Sequence, residues 1–442
     1  MKVVLMVVLC GLLPLSFAEV PGGAVPPSES PVLPSVLDLE AAEQLALAHN
    51  PLIRQFQARA EALAGDLRVT RAQGRPVFSA EADAGYDGNP NQRGDFGASD
   101  NESWRAGLRL NVPISSFGRL QTQLDAVEFR GEAATLQADH VRREVLRQLR
   151  EAYLLARLRE QIVHVQEASV KLLEAQWREN EARNEAGAIT RLPVLQARVA
   201  LENARTALLR AERDAEASRD RLRSVLGIPF SADAEDREGY RLSESWPVFP
   251  ASALEFDVAR ERAREQRADF LALDAQIQAA DASLVMARRS RSPSLGGFAT
   301  AGVENDRFGD GDGAEEFWML GLQFSWQFYD LGDRAGRVTR AEAELEEIRA
   351  RRDEMLLALD ADLRDALREH DLAVSVLERV SITEEQAEEA LRLAREAHEN
   401  GRATQLEVSN AELELTRARL EATTAVHDRL RALVRLQYVM GQ

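Results

Sequence analysis

The chain has 442 residues, of which 45% are hydrophobic, so it is long enough for two or three ordinary domains with sizeable cores. Its formal net charge of -18 argues against a nucleic-acid partner, because binding to phosphates depends on clustered basic residues. Beyond the N-terminus no long uninterrupted apolar run occurs, which argues against a transmembrane helix.

The first 18 residues predict a cleaved secretory signal peptide. A basic residue precedes an apolar run, and small residues follow it, which fits cleavage after Ala18. Lipidation at Cys10 is the alternative, but Leu9 before it is too large, so we expect no lipid anchor. The remaining chain has no cysteine and therefore suits export to an oxidising compartment without disulfides.

The chain then repeats itself after a Pro-rich leader, residues 19–36, which we expect to be an extended tether. Each repeat reads as a helix, a β-hairpin and a long helical hairpin. The repeats cover residues 37–228 and 254–442, and a linker at 229–253 joins them. The β-hairpins are predicted at about 76–113 and 293–328, and the long helical hairpins at 117–226 and 331–440.

The helices are predicted from their apolar periodicity. The first helix of each repeat is predicted to be continuous, over 39–72 and 254–288. The next helix, at 117–184 and again at 331–400, would be roughly 100 Å long at about 1.5 Å per residue. No ordinary core is that long, so we expect coiled-coil packing. In the last helix a heptad seam is predicted at Leu406, Leu413, Leu420, His427 and Val434.

The predicted strands alternate, with an aromatic and apolar face opposite a charged or polar face. A soluble sandwich would also alternate, but the aromatic face favours lipid on one side and a water-filled lumen on the other. The residues predicted to face lipid are Phe78, Tyr86, Trp104, Trp318, Phe324, Trp326 and Phe328. The residues predicted to face the lumen are Glu81, Asp83, Arg105, Arg109, Gln323 and Gln327.

Four strands are too few to close a barrel, which needs about eight. A membrane tolerates no open sheet edge. The strand count therefore predicts that the chain pools its strands with other copies of itself.

In these features the chain resembles the TolC-type outer membrane efflux proteins. The resemblance rests on the signal peptide, the duplication, the junctions NVPISSFGR and WQFYDLGDR, and the turns EAGAITRLPVLQAR and ENGRATQLEVSNAE. It implies a mainly α fold with a membrane β-barrel portion: a homotrimer whose twelve strands form one barrel, continuous with a tunnel of long helical hairpins.

The resemblance also implies a role and a place in the cell. Such a protein is held by outer membrane lipid in a diderm bacterium and reaches into the periplasm. It would be the passive exit duct of a tripartite efflux or type I secretion system, supplied by an inner membrane transporter and a periplasmic adaptor protein. No catalytic group, cofactor or metal is expected. A periplasmic adaptor and a coiled-coil spacer are the alternatives, and the cargo stays open among drugs, metal cations and proteins.

The two helical turns supply candidate site residues. Gly187 and Gly401 are expected at the hairpin tips, where a positive φ reverses the chain. The resemblance makes these glycines, together with Thr190 and Thr404, the adaptor-docking points.

Family members often carry a ring of aspartates at the periplasmic entrance, near the start of the last helix. The matching positions here are Glu407 and Asn410, so Asn410 departs from the pattern and only Glu407 could contribute to an acidic ring. In a trimer, repulsion among three copies of Glu407 would raise their pKa values. The alternative is an ordinary solvated carboxylate at a helix start. A calcium site in the acidic loop at 306–316 is a further hypothesis, although the loop lacks the full ligand spacing of a known calcium loop.

Overall fold

The structure is a computed structural model, and it describes residues 34–87, 101–229, 240–250, 255–305 and 314–442. The predicted signal peptide, most of the Pro-rich leader and most of the acidic loop at 306–316 lie outside this range. Across the described residues, no helix combines the length and the apolar character that crossing a membrane requires.

The described elements follow the same order twice: a two-residue strand, two helices, two long strands, a helix of 67 residues and a return helix. The first set is β1 (Val36–Leu37), α1 (Leu39–His49), α2 (Pro51–Ala72), β2 (Val77–Asp87), β3 (Asn101–Ser115), α3 (Arg119–Glu185) and α4 (Arg191–Leu226). The second set is β4 (Arg241–Leu242), α5 (Phe256–Gln266), α6 (Ala268–Arg288), β5 (Ser294–Asn305), β6 (Glu315–Ser325), α7 (Asp333–Glu399) and α8 (Gln405–Val439).

The first helix of each repeat is broken, so the prediction of one continuous helix was wrong. In the first repeat Asn50 is extended, with ψ at 123°, because the Pro51 that follows disfavours the helical conformation before it. The Asn50 Oδ1 then accepts a hydrogen bond from the Leu52 N–H at 2.9 Å, which restarts the helix. In the second repeat Arg267 is extended without a proline, and its guanidinium pairs with the Asp269 carboxylate at 2.6 Å.

The chain divides into two compact units. One comprises Ala60–Ala133 and Leu273–Ala350 and contains the four long strands. The other comprises Ala134–Ala272, Arg351–Gln442 and the described residues before Ala60.

One hydrophobic cluster of the second unit surrounds the parallel pair of β1 and β4. Leu37 of β1 is fully buried, and its carbonyl accepts a hydrogen bond from the Tyr153 hydroxyl at 3.2 Å. Burial raises the pKa of Tyr153, and that of Tyr240 next to β4 to about 12. The pair of strands therefore ties the start of the described chain to the segment that joins the repeats.

The heptad seam predicted in α8 is correct only at its far end. His427 and Val434 are buried, whereas Leu406 and Leu413 are more than half exposed. Near the start of α8 it is Val408 that packs in a cluster with α7. A straight helix drifts by about 20° per heptad from a strict sevenfold repeat, so over four heptads the predicted stripe moves by roughly 80° around the helix.

Candidate functional site

The four long strands form one antiparallel sheet in the order β2-β3-β5-β6. The β-hairpins of the two repeats meet at the pairing of β3 with β5. In register, Ala80 lies opposite Leu108, Leu108 opposite Ala301, and Ala301 opposite Trp318. Apolar side chains therefore form continuous rows across all four strands, on one face of the sheet.

This apolar face is uncovered in the single chain. Phe78 at one edge and Trp318 and Leu320 at the other are each more than three-quarters exposed. An exposed apolar patch of this extent marks a surface that meets lipid or another protein. Of the other residues predicted for this face, Trp104 lies in register with Ala84 and Phe324 with Leu295, whereas the side chain of Tyr86 lies outside the described residues.

The opposite face carries charges that pair across strands. The Arg109 guanidinium lies 3.2 Å from the Glu81 carboxylate, and that of Arg105 lies 2.9 Å from Glu304. Asp83 is in register with Arg105, so these predicted lumen residues share one face. The pairs are about half exposed, and pairs of that kind stabilise by no more than about 1 kcal/mol. Their main effect is to balance the charge of this face.

Two residues of this face, Glu304 and Phe317, were missing from the predicted site. Glu304 pairs with Arg105, and the Arg105 guanidinium also lies over the ring of Phe317 at 5.3 Å. The alternation of β5 put Glu304 on the polar face, but its partner could be found only from the register of β3 with β5.

The last strand is shorter than predicted. It ends at Ser325, in register with Ser294 at the start of β5, and the described chain offers no strand partner beyond this point. Trp326, Gln327 and Phe328 therefore lie outside the sheet, contrary to the prediction that the strand continues to residue 328. The Trp326 and Phe328 rings lie 6.0 Å apart, and both are more than half exposed.

Both strand-to-helix junctions turn through two consecutive left-handed residues. Phe117 and Gly118 have φ of 50° and 83°, and Leu331 and Gly332 have φ of 52° and 97°. In the sequence, the dipeptides Phe-Gly and Leu-Gly at matching positions of the two repeats indicate these turns, because glycine favours a positive φ. The conformation is uncommon for the non-glycine residue of each pair, Phe117 and Leu331.

The glycines at the hairpin tips have the predicted positive φ, 72° at Gly187 and 69° at Gly401. At both tips the main chain closes with the same pair of hydrogen bonds, for example from the Gly401 N–H to the His398 carbonyl at 2.9 Å. The helices that follow differ in their caps. Thr404 forms a capping box with Glu407, whereas Thr190 makes no side-chain cap hydrogen bond among the described residues.

Glu407 acts here as a helix-cap carboxylate. Its Oε2 accepts hydrogen bonds from the Thr404 N–H at 2.6 Å and from the Thr404 hydroxyl at 3.0 Å. These bonds hold the pKa of Glu407 below its usual range. Asn410 is exposed one turn later. Within one chain, Glu407 therefore fits the alternative of a solvated helix-start carboxylate.

A buried carboxylate close to this tip escaped the sequence prediction. Glu412 is nearly fully buried, and its carboxylate lies 3.2 Å from the Arg395 guanidinium of α7. Burial raises the pKa of Glu412, and the ion pair only partly offsets this. A glutamate in a charged helix gives no local sign of burial, because the burial depends on how α8 is rotated against α7.

The calcium hypothesis and the expectation of no metal can be compared with the described side chains. Within the described ranges, no group of three or more His, Cys, Asp or Glu side chains could hold a metal ion. The calcium hypothesis concerns residues that lie mostly outside those ranges.

An antiparallel sheet with one uncovered apolar face, continued by two long helical hairpins, is the arrangement expected of an outer membrane channel protein. The model of the family "Outer membrane efflux protein" matches residues 42–228 and 259–442, and the chain belongs to this family. The match covers both repeats. It confirms the resemblance to TolC-type proteins on which the predicted fold was based.

Solved structures with this fold cover 91% of the chain. The CmeC outer membrane channel of Campylobacter jejuni aligns with a TM-score of 0.77 at 18% identity over 85% of its own chain. A membrane protein from Pseudomonas aeruginosa aligns with a TM-score of 0.76 at 23% identity over 90% of its chain. At such identities the likeness shows the fold, which is the predicted mainly helical channel fold.

A relative of known sequence is "Probable outer membrane lipoprotein SilC" of Salmonella typhimurium. It is 22% identical over 376 residues, which are 84% of this chain and 78% of the relative. The name of this relative describes it as a lipoprotein. For the present chain the sequence predicts no lipid anchor. Cys10 lies outside the described residues, so that expectation stays a prediction.

Proposed function

We propose that the protein is the outer membrane exit duct of a tripartite efflux or type I secretion system, through which substrates pass passively. The observation that carries the proposal is the two-faced sheet. Its apolar face suits lipid and its ion-paired face suits a water-filled lumen. An inner membrane transporter would supply the energy, and no step requires a catalytic group in this chain. A periplasmic adaptor or a spacer would have no use for such a sheet.

The working form is a homotrimer. Within the described residues, the outer edges of β2 and β6 have no strand neighbour, and an open edge is not tolerated in lipid. Three copies, joined edge to edge, would close a twelve-stranded barrel. The exposed stripe of Leu192, Leu195 and Val199 on α4 and the exposed Leu406 on α8 also need a cover that neighbouring helices would supply.

The hairpin tips would dock the periplasmic adaptor. Gly187 and Gly401 reverse the helices there, and Thr190 and Thr404 begin the return helices. All four residues are accessible in the single chain. Glu407 is fixed at one tip by its capping box, so in a trimer its charge would be held close to the entrance.

The chain would be delivered by a signal peptide cleaved after Ala18 and would carry no lipid. Its cargo class is open among drugs, metal cations and proteins. A deletion strain tested against antibiotics, metal salts and a secretion assay would identify it. Sensitivity to one class alone is the informative result.

The channel itself is tested by conductance. Heat-modifiable trimers in outer membrane fractions and single-channel currents in planar bilayers are the expected results. Phe324→Arg, on the apolar face, should prevent membrane assembly, whereas Gln323→Arg, on the opposite face of the same strand, should change only the conductance. A protein recovered only from the soluble periplasm would contradict the proposal.

A further inference from the structure

A basic cavity lies at the junction where β6 ends and α7 begins. Its volume is about 560 Å³, and the end of α6 forms part of its wall. Of the described residues that line it, three are arginines, Arg288, Arg291 and Arg334, and one is a carboxylate, Asp330. The cavity therefore gathers three guanidinium groups around one carboxylate, in a chain whose net charge is -18.

The single carboxylate, that of Asp330, already accepts hydrogen bonds from main-chain N–H groups. The two oxygens of Asp330 accept hydrogen bonds at 3.3 Å from the N–H groups of Gly332 and Arg334, which cap the start of α7. The Arg291 Nε lies 3.8 Å from Asp330, which is beyond hydrogen-bond distance. Asp330 therefore lowers the charge of the cavity without saturating the guanidinium groups.

Each guanidinium keeps donors that these contacts do not use. Arg334 donates its Nε to the Arg288 carbonyl at 3.1 Å, and Arg291 donates one Nη2 bond to the Phe328 carbonyl. Arg288 pairs with Glu342 at 3.0 Å, but both side chains are more than half exposed, so the pair is weak. A guanidinium has five N–H donors, and among the described residues each of the three arginines commits one of them to these contacts.

The cavity adjoins the end of the apolar face of the sheet. The Trp326 Nε1 donates to the Arg291 carbonyl at 3.1 Å, and the exposed ring of Phe328 lies beside it. Tryptophan side chains with one hydrogen-bonded end and one apolar side gather at the level of lipid headgroups. Beyond Trp326 the apolar face continues along β6 from Phe324 to Trp318.

We propose that this cavity binds the phosphodiester headgroup of an anionic phospholipid. The forked guanidinium matches phosphate oxygens two at a time, which a lysine cannot do. Basic pockets at a membrane boundary bind such headgroups. The acyl chains would lie along the apolar face of β6. The assignment of a lipid, instead of free phosphate, rests on the proposed seating of this sheet in the membrane.

The test uses the full chain, purified in detergent, and native mass spectrometry to count bound lipid. The probes are phosphatidylglycerol, phosphatidylcholine and inorganic phosphate. The test variant is Arg288→Gln with Arg334→Gln. The control is Arg337→Gln with Arg340→Gln, which removes the same charge from exposed ion pairs further along α7.

The wild-type protein and the control should retain phosphatidylglycerol in preference to phosphatidylcholine. The test variant should bind phosphatidylglycerol at least about tenfold more weakly, because it lacks two guanidinium groups whose charged hydrogen bonds to the phosphate are stronger than neutral ones. Equal binding by test and control variants would overturn the proposal. So would displacement of phosphatidylglycerol by an equal concentration of inorganic phosphate, which would indicate a site for free anions.

Two further measurements keep the outcome unambiguous. If the double variant does not form trimers, Arg334→Lys is used in its place, because lysine keeps the positive charge but lacks the two parallel donors of the guanidinium group. An unchanged preference of Arg334→Lys for phosphatidylglycerol would count against the proposal. Conductance is recorded on the same wild-type sample. Lipid preference without conductance would contradict the channel alone, and conductance without lipid preference would contradict the headgroup site alone.

Discussion

The seating of the sheet can be tested with two neighbouring residues of β6 that point to opposite faces. Leu320 is 76% exposed and lies opposite Ala299 on the apolar face, whereas Met319 is 56% exposed and lies opposite Thr300 on the ion-paired face. We predict that Leu320→Arg destabilises the assembled protein strongly and that Met319→Arg does so weakly. If water bathed both faces, both substitutions would be tolerated, since both side chains are exposed.

The expected size follows from the position in the strand. Leu320 is the central residue of β6, which spans Glu315–Ser325, so in the proposed barrel it lies near the middle of the lipid layer. An arginine there costs about 2–4 kcal/mol, or roughly 6–12 kcal/mol for three copies in a trimer. The substitution in one subunit would thus shift the folding equilibrium by roughly 30-fold to 1,000-fold, at about 1.4 kcal/mol per factor of ten. For Met319→Arg we expect less than about 1 kcal/mol.

The measurement is the urea dependence of the heat-modifiable trimer in lipid vesicles. The midpoint should fall sharply for Leu320→Arg and stay close to the wild-type value for Met319→Arg. Equal shifts for the two variants, or a Leu320→Arg protein that assembles normally, would refute the placement of the apolar face in lipid.

Three other predictions concern the helical hairpins. Thr404→Ala should remove about 1 kcal/mol of helix-capping free energy and so speed amide hydrogen exchange in the first turn of α8. Thr190→Ala is the control, because Thr190 makes no side-chain cap hydrogen bond among the described residues, and it should change exchange in α4 less. Gly401→Ala should destabilise the fold by about 1–2 kcal/mol and so lower the thermal unfolding midpoint, because φ at Gly401 is positive. Gly131→Ala inside α3, where a Cβ meets open space, should raise the midpoint slightly. The opposite order of midpoints would contradict the tip geometry. Glu412 has a folded pKa above its ordinary value of 4.5, so the folded state holds the proton more tightly. Stability of the α7–α8 hairpin should therefore fall as pH rises from that value through the folded pKa, and Glu412→Gln should flatten this dependence in urea titrations at several pH values.

The sequence alone determined the local features of this protein. The alternation of the strands and the tip glycines were readable because each depends on neighbours a few residues apart, and the duplication was readable by comparing the sequence with itself. The positive φ at Gly187 and Gly401 is an example, since a residue without a Cβ adopts that conformation at no steric cost. The break at Asn50 was also readable, because Pro51 announces it, although it was not predicted.

Only the tertiary structure decided which faces meet. The helix break at Arg267 has no proline, and the end of β6 depends on where β5 begins. The burial of Glu412 depends on the rotation of α8, which drifts away from the sevenfold pattern. The basic cavity unites Arg288 and Arg334, which belong to different helices, so no local pattern could have shown it. Periodicity fixes the faces of single elements, whereas register and rotation between elements are settled by packing over the whole chain.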